Sequence, residues 1–433
     1  MKEKKRNQEG LKLWSHNRLG MFIHWGLYAL PARHEWVKSR EQISTEDYQK
    51  YFDNFDPDLY DPKEWAEYAK KAGMKYVVLT TKHHDGFCLW DSQFTDYKCT
   101  NTPCGKDLLR MYVDAFRAEG IRIGLYHSLL DWHHPEYTLD NNHPMRANEE
   151  FKTKDSQKDM LKYAEYLHNQ TREILTNYGE IDCLFYDYTL RNYETGEVIK
   201  GREAWQSETL IDICRECQPN MLINDRLDLD DTDWGWDFKT PEQIMLRKCP
   251  EIDGKKIPWE TCQTFSGSWG YHRDENTWKS VEQLLKLLID TASKSGNLLL
   301  NVGPTARGEF DCRAKERLVG MGEWLRLHGR SIYGCVEAPE EFKTPQDCRL
   351  TYNPETNRLY IHLFSWPSTG ELYLEGAVEK VKYAQLLNDA SEVKFGARKP
   401  WQAKWEKDEE SMILMKLPIS KPSTVSVIEL MLK

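Results

Sequence analysis

Seven short apolar runs alternate with amphipathic stretches between about residues 19 and 330, and no other feature of the chain constrains its fold as strongly. The runs are LGMFIHW (19–25), KYVVLTTK (75–82), RIGLYHS (122–128), IDCLFYD (181–187), NMLIND (220–225), WETCQTF (259–265) and NLLLNVGP (297–304). Helical periodicity fills DPKEWAEYAKKAG (61–73), DLLRMYVDAFRAEG (107–120), KDMLKYAEYLHNQTREILTNYG (158–179) and VEQLLKLLIDTASKSG (281–296). Gly73, Gly120, Gly179 and Gly296 stand where helix C-caps are expected, because glycine tolerates the left-handed conformation. Short, continuously apolar strands followed by helices read as a parallel sheet buried on both faces.

Seven such units favour a (β/α) TIM-like barrel over an open doubly wound sheet. The eighth strand does not show in the pattern, and its expected place is a short or missing strand near residues 330–335. A barrel takes roughly 250 residues, so a chain of 433 has room for one small further domain. Beyond about residue 335 the period changes to two, in RLYIHLFSW (358–366), GELYLEG (370–376), SMILMKLP (411–418) and STVSVIELMLK (423–433). Turn-rich segments separate these runs, which predicts an antiparallel β-sandwich packed on the barrel. The expected division is a barrel over residues 1–335 and a C-terminal β-sandwich over residues 336–433.

Charge and motifs exclude several functions. Net charge is −10, from 59 basic and 69 acidic residues, and no basic stripe is present, so a nucleic-acid partner is not expected. No run reaches the roughly 20 apolar residues that span a bilayer, and no membrane role is expected. MKEKKRNQEG (1–10) lacks the apolar stretch of a signal peptide, which predicts a cytoplasmic protein. No GxGxxG follows the first strand and no GxxxxGK[ST] occurs, removing the main support for dinucleotide and P-loop readings. The 11 cysteines are odd in number, and the single CxxC, Cys214 to Cys217, finds no second pair in Cys249 and Cys262. Reduced thiols are expected rather than a structural zinc site. The chain also holds 16 Trp, 22 Tyr and 14 Phe, an aromatic content that suits stacking on the C–H faces of sugars as well as core packing.

In β/α barrels the reactive groups gather at the C-terminal ends of the strands. Here those ends carry His24, His83 and His84, His127 with Ser128, Asp187, Asp225 with Arg226, and Asn301. Asp187 closes the run that begins at Ile181, so it leaves a buried strand at the mouth on a rigid backbone. A carboxylate nucleophile needs that fixed aim, since a displacement of about 1 Å can lower a rate roughly 100-fold. The competing reading is a helix N-cap aspartate after a strand.

FIHWG (22–26), HEW (34–36), TTKHHDGFCLWDS (80–92), GLYHSLLDWHHPEY (124–137), NDR (224–226), WETC (259–262), SWGY (268–271) and NLLLNVGPTARG (297–308) resemble the α-L-fucosidases of glycoside hydrolase family 29. The resemblance runs through the whole barrel, and the β-rich tail fits the family's C-terminal domain. It implies a retaining, exo-acting, metal-independent and cofactor-free hydrolysis of terminal α-L-fucose through a covalent fucosyl-enzyme. Asp187 stands at the nucleophile position. His24, Glu35, Trp36, His83, His84 and Arg226 fall on motif positions that resemble the sugar-binding set. His127 lies where some members carry Tyr, and Phe185 where many carry Trp.

The residue types agree with these roles. Neutral imidazoles donate and accept hydrogen bonds, which suits the hydroxyls of a neutral sugar. Arg226 can brace Asp187 and keep it ionised. Phe22, Trp36 and Trp269 can form an apolar wall for the C6 methyl that separates fucose from galactose. Such a wall discriminates by only about 1–3 kcal/mol, so hydroxyl contacts carry the rest. His83–His84 and His133–His134 are adjacent pairs that cannot both point one way from a strand, and neither has HExxH spacing; no metal is expected. The acid/base has two contenders. Glu242, in DFKTPEQ (237–243), lies on the long loop after the fifth strand, matches a TPE-like family segment and is favoured, because a loop residue can reach over a bound sugar. Glu260, in WETC, is the alternative, and Glu35 a third.

Two other functions stay open at this level: a non-catalytic fucose-binding barrel, and a glycosidase for another sugar resting on fold analogy. The expected partner is a fucosylated oligosaccharide or glycoconjugate. Linkage preference and oligomeric state are not encoded legibly, although barrel enzymes of this size often form a homo-oligomer.

Overall fold

The computed structural model describes residues 7–191, 194–397 and 412–433. Its centre is a parallel seven-stranded sheet: β1 (Leu19–Ile23), β2 (Tyr76–Lys82), β3 (Arg122–Ser128), β4 (Cys183–Asp187), β5 (Leu222–Ile223), β6 (Glu260–Thr264) and β7 (Asn297–Val302). The neighbour order β6-β7-β1-β2-β3-β4-β5 keeps chain order around a TIM-like barrel and leaves only β5 and β6 without a direct ladder.

Residues 237–243 fill that gap. Phe238 bridges Asn224 on one side, while Lys239 and Glu242 bridge Trp259 and Cys262 on the other, all in parallel sense. Asp237 N donates to Ile223 O at 2.7 Å, and Gln243 N to Cys262 O at 3.0 Å. The eighth stave is therefore this irregular segment and not the expected residues 330–335, where a short 3-10 turn (Gly329–Ser331) stands instead. The sequence hid it because the segment is largely polar and contains Pro241, which cannot donate to a ladder. Glu242, read as a loop residue, is thereby fixed to the barrel wall.

Both strand faces are buried, which explains the continuous apolar runs. Phe22, Val78, Tyr126, Cys183, Phe185, Leu222, Phe238, Cys262 and Leu299 meet in the lumen. The alternate residues, among them Met21, Val77, Leu79, Ile123, Leu125, Leu184, Ile223 and Leu300, pack outward against the helices. Those helices include α2 (Pro62–Lys71), α3 (Leu108–Ala118), α4 (Met160–Thr176), α5 (Ser207–Cys217), α6 (Val281–Ala292) and α7 (Cys312–His328), whereas α1 (Gln8–Asn17) closes the lower end of the lumen with Leu11 and Trp14. Asp61 caps α2 through the Lys63 and Glu64 amides, and Ser280 with Gln283 forms a capping box on α6. Gly73, Gly120 and Gly179 take positive φ after their helices, but after α6 Ser295 does so instead. Gly296 is needed for space: a Cβ there would stand 2.4 Å from the Trp259 indole.

Beyond the barrel, the described residues form eight antiparallel strands: β8 (Val336–Glu337), β9 (Cys348–Asn353), β10 (Arg358–Leu363), β11 (Glu371–Glu375), β12 (Val381–Leu386), β13 (Phe395–Ala397), β14 (Met412–Lys416) and β15 (Ser426–Leu432). They form the sheets β8-β9-β10-β15-β12 and β11-β14-β13. Leu359, Ile361, Ile428 and Leu430 from the first sheet pack with Leu374, Ile413 and Met415 from the second. Ser411, the first residue of the run read at 411–418, lies outside the described residues, as do Met1 to Arg6 of the charged amino-terminal stretch. Val427 and Tyr360 join the barrel's outer core, and Trp324 Nε1 on α7 donates to Val425 O at 2.8 Å. The cysteines are free thiols. Among the described residues, no helix is long and apolar enough to cross a membrane.

Candidate active site

Asp187 is the last residue of β4, paired to Ser128 at the end of β3. Its parity follows Cys183 and Phe185 of the lumen, so its carboxylate rises from the barrel axis into a cavity. That cavity is lined by Phe22, His24, Trp36, His83, His84, Tyr126, Phe185, Asp187, Tyr188, Arg226, Glu242, Cys262 and Trp269. An adjoining recess of about 300 Å³ shares Asp187, Tyr188, Arg226 and Glu242 and adds Thr189, Arg191, Asp225, Asp228 and Asp230. At the opposite end of the barrel a recess of about 320 Å³ under α1 is lined by Trp14, Tyr76, Cys183 and Leu222, among others, and contains none of the candidate residues.

Two donors hold the Asp187 carboxylate. Arg226 Nη1 donates to Oδ1 at 2.5 Å and Tyr126 Oη to Oδ2 at 2.8 Å. His84 Nε2 stands 4.0 Å from Oδ2. Burial alone would raise this carboxyl's pKa, but Arg226, His84 and Tyr126 outweigh it and hold Asp187 below the usual carboxylate range.

Arg226 Nη1 also donates to Glu242 Oε2 at 2.8 Å. The guanidinium is aimed by Thr240, whose Oγ1 accepts from Nε at 3.1 Å and whose carbonyl accepts from Nη2 at 3.1 Å. Asp225 pins the same threonine, accepting from its amide at 3.0 Å and its hydroxyl at 2.7 Å, so Asp225 supports the closing stave. Glu242 shifts upward, because crowding at the cavity wall disfavours its charge and nearby Asp187 adds repulsion that Arg226 offsets only in part. With 44% of its side chain open to solvent the shift is a direction rather than a large energy. One carboxyl is thus biased to stay ionised and its neighbour to stay protonated, the division of labour a glycosidase pair requires.

The cavity imidazoles of His24, His83 and His84 are neutral at ordinary pH. Burial lowers His24 and His84 to about 4, and lowers His83 well below its usual value, with His84 and His24 adding to the effect. His24 Nδ1 contacts Asn301 Oδ1 at 2.7 Å, and His84 Nδ1 contacts Ser128 Oγ at 2.6 Å. Contrary to the expectation for adjacent histidines, His83 and His84 both line the cavity, with rings 4.0 Å apart. They lie just past the end of β2, where strand alternation no longer applies. Phe22 and Trp269 pack edge to face at 5.9 Å on one wall. Trp36 stands against His84, Trp132 and Tyr188 on another.

Three expectations need correction. His127 is not in the cavity: it shares the parity of Ile123 and Leu125, faces the helices, and contacts Thr81 Oγ1 at 3.0 Å beside Trp90. The side chain that β3 sends inward is Tyr126, missed although strand periodicity alone places it beside Phe185. Glu260 is not near Asp187 either. It opens β6, one lumen layer below Cys262 or roughly 7 Å further down, where Tyr76 donates to it and burial pushes its carboxyl up to about 8. Glu35 sits behind the cavity wall, accepting from the Trp269 and Gly270 amides at 3.1 and 2.8 Å. Burial opposes its charge, but His34 and the Gly270 amide hold its pKa down, which unsuits it as a proton donor.

Comparison with known proteins agrees with this geometry. The α-L-fucosidase family profile matches residues 1–330. The tissue α-L-fucosidase of Homo sapiens is 28% identical over 443 residues, covering 94% of this chain and 85% of that one. The structure of α-L-fucosidase isoenzyme 1 from Paenibacillus thiaminolyticus superposes with a TM-score of 0.91 at 44% identity over 99% of both chains. A family 29 α-L-fucosidase from Bacteroides thetaiotaomicron, solved as a trapped covalent intermediate with 2-fluoro-fucosyl fluoride, superposes with a TM-score of 0.83 at 27% identity over 100% of this chain and 98% of that one. This chain therefore belongs to the α-L-fucosidases of glycoside hydrolase family 29.

Proposed function

We propose that the protein is a retaining, exo-acting α-L-fucosidase that releases terminal α-L-fucose from fucosylated glycans through a covalent fucosyl–Asp187 intermediate. The observation that carries the reading is the Asp187–Glu242 pair bridged by one nitrogen of Arg226. Their near oxygens can be no farther apart than those two hydrogen bonds laid end to end. Two carboxyls held on one guanidinium nitrogen at that reach are compatible with the close spacing of a retaining pair, roughly 5–5.5 Å between carboxyl groups.

In the first step Asp187 Oδ attacks the anomeric carbon while the glycosidic bond breaks and Glu242 gives its proton to the leaving oxygen. In the second, Glu242 takes a proton from water, the water oxygen bonds to the anomeric carbon, and Asp187 departs as carboxylate. Two inversions return the starting configuration. The trapped covalent intermediate of the Bacteroides relative supports this order of events.

The cavity supports a terminal monosaccharide. His83 lines the cavity with an imidazole that burial keeps neutral, able to donate to or accept from a sugar hydroxyl. Phe22 and Trp269 supply the apolar face for the C6 methyl.

A panel of aryl glycosides with wild type, Asp187→Ala and Glu242→Ala tests the proposal. The wild type releases aryl groups from α-L-fucosides and not from the galactoside or xyloside. Asp187→Ala loses turnover on every fucoside, whereas Glu242→Ala loses natural linkages and largely keeps activated aryl fucosides. Wild-type rates of natural-linkage hydrolysis in Glu242→Ala would remove Glu242 from the acid/base role. No release from any glycoside would leave only a fucose-binding barrel.

A further inference from the structure

The residue after the nucleophile takes a backbone conformation that L side chains rarely adopt: Tyr188 has φ 84°. Glycine would make this turn without strain, so what the tyrosine ring does there must offset the unfavourable backbone. The ring sits 5.2 Å from His84 and 5.5 Å from Trp36, and it lines both the sugar-sized cavity and the adjoining recess. Its hydroxyl accepts from Asn142 Nδ2 at 3.0 Å. Asn142 is tied in turn, because Ser39 Oγ donates to its carbonyl at 2.5 Å and Arg146 Nη1 donates to Ser39 O at 3.0 Å. Ser39 belongs to the short helix Val37–Arg40 directly after Trp36. Tyr188, Asn142, Ser39 and Trp36 therefore close a circuit that fixes one aromatic face at the boundary of the two spaces.

We infer that Tyr188 is a specificity-determining residue whose ring stacks on the apolar face of the first sugar of the leaving group, so that hexopyranosyl leaving groups are preferred over small ones. This inference rests on the proposed assignment of the inner cavity to fucose, because the shared wall then faces the leaving side. The rest of the recess, with Thr189, Arg191, Asp228 and Asp230, is polar and suits the hydroxyl edge of the same sugar. Arg191 and Asp228 are already paired at 2.6 Å, which leaves Tyr188 as the apolar element of that wall.

The test compares wild type, Tyr188→Gly and Tyr188→Phe on α-L-fucosyl fluoride and on a fucosyl-hexose disaccharide. Fluoride presents no ring to stack. Glycine suits the backbone at this position, so the variant is not expected to misfold. In Tyr188→Gly the ratio of kcat/KM for disaccharide over fluoride falls about tenfold or more, while the basic limb of the disaccharide pH profile stays in place, showing that Glu242 is not displaced. Tyr188→Phe keeps the ring and restores the ratio to within about threefold of wild type. Equal losses on both substrates, an unchanged ratio, or a shifted basic limb would overturn the inference. A wild type inactive on both substrates would instead overturn the fucosidase reading, and this inference with it.

Discussion

Asp187 and Glu242 share a single donor, Nη1 of Arg226, at 2.5 and 2.8 Å. A positive charge between two carboxyls that must titrate apart does more than pair with either. It holds Asp187 ionised, it limits how far the pKa of Glu242 can climb, and through Thr240 it fixes both to the irregular stave that completes the barrel. Arg226→Ala is expected to lower kcat/KM about 100-fold or more, as removal of an electrostatic positioning group does. Loss of the cation favours the neutral form of both carboxyls, so both limbs of the pH–rate profile move to higher pH. The profile on a fucosyl disaccharide, whose cleavage needs both groups, checks this, and limbs that stay put would refute the shared-donor role.

Tyr126 donates the second hydrogen bond to Asp187. A hydrogen bond to a charged acceptor contributes about 1.5–3 kcal/mol, so Tyr126→Phe should lower kcat/KM by about tenfold or somewhat more and raise the acid limb. Its chain neighbour separates the two faces of β3. His127 faces the helices, so His127→Phe is expected to act on stability and leave the turnover of the folded enzyme near wild type. Steady-state kinetics and melting curves on the two variants distinguish the roles, and a deeper kinetic defect in His127→Phe would mean that the register assigned to β3 is wrong.

Much of this was legible in the chain. Seven of eight staves announced themselves because their residues are buried on both faces, and Asp187 stood out because an acid at the end of such a run has nowhere to go but the mouth. Tyr126 was legible in principle, since counting in twos along β3 puts it in the lumen and His127 outside. Residues 237–243 were not, because Pro241 and the polar residues around it look like a loop, and only pairing with Asn224 and Cys262 makes them a wall. Glu260 shows the complementary limit. The sequence placed it on a strand but carried no signal for which layer of the lumen it occupies, and its distance from Asp187 depends on the strands' relative register. Tyr188 left no trace, because a positive φ at a non-glycine residue is set by tertiary packing.

The buried imidazoles predict acid lability. Burial brings His24, His84 and His133 to about 4, and His143 and His362 to about 3. In the unfolded chain they titrate near 6.5, so as pH falls below that value the unfolded state takes up protons first. Their contribution to stability is complete above about pH 6.5 and is lost toward pH 4, at a limiting slope of roughly 1.4 kcal/mol per pH unit for each. Asp85, raised by burial to about 6, works in the opposite sense over part of this window. Glu260, raised to about 8, does so as well, but five histidines outweigh two carboxyls. Tm is therefore expected to fall steadily between pH 6.5 and 4.5. A Tm that holds or rises on acidification would show that these histidines are not buried neutral.

Glu260 governs the other side of the optimum. Its carboxyl is buried at the lower end of the lumen, accepts from Tyr76, and has a second oxygen with no partner among the described residues. Folding keeps it neutral to about pH 8, whereas the unfolded chain ionises it near 4.5, so its destabilising effect grows as pH rises through that interval and reaches several kcal/mol at the top of it. Glu260→Gln keeps an oxygen for Tyr76 and removes the ionisation. The variant should match wild type in stability near pH 4.5 and exceed it increasingly toward pH 8, by several degrees in Tm, with natural-linkage turnover reduced by no more than a few-fold. Melting curves at pH 5 and pH 8, together with disaccharide kinetics, check both halves. A Glu260→Gln enzyme that loses natural linkages yet keeps activated aryl fucosides would return the acid/base role to Glu260 and displace Glu242 from it.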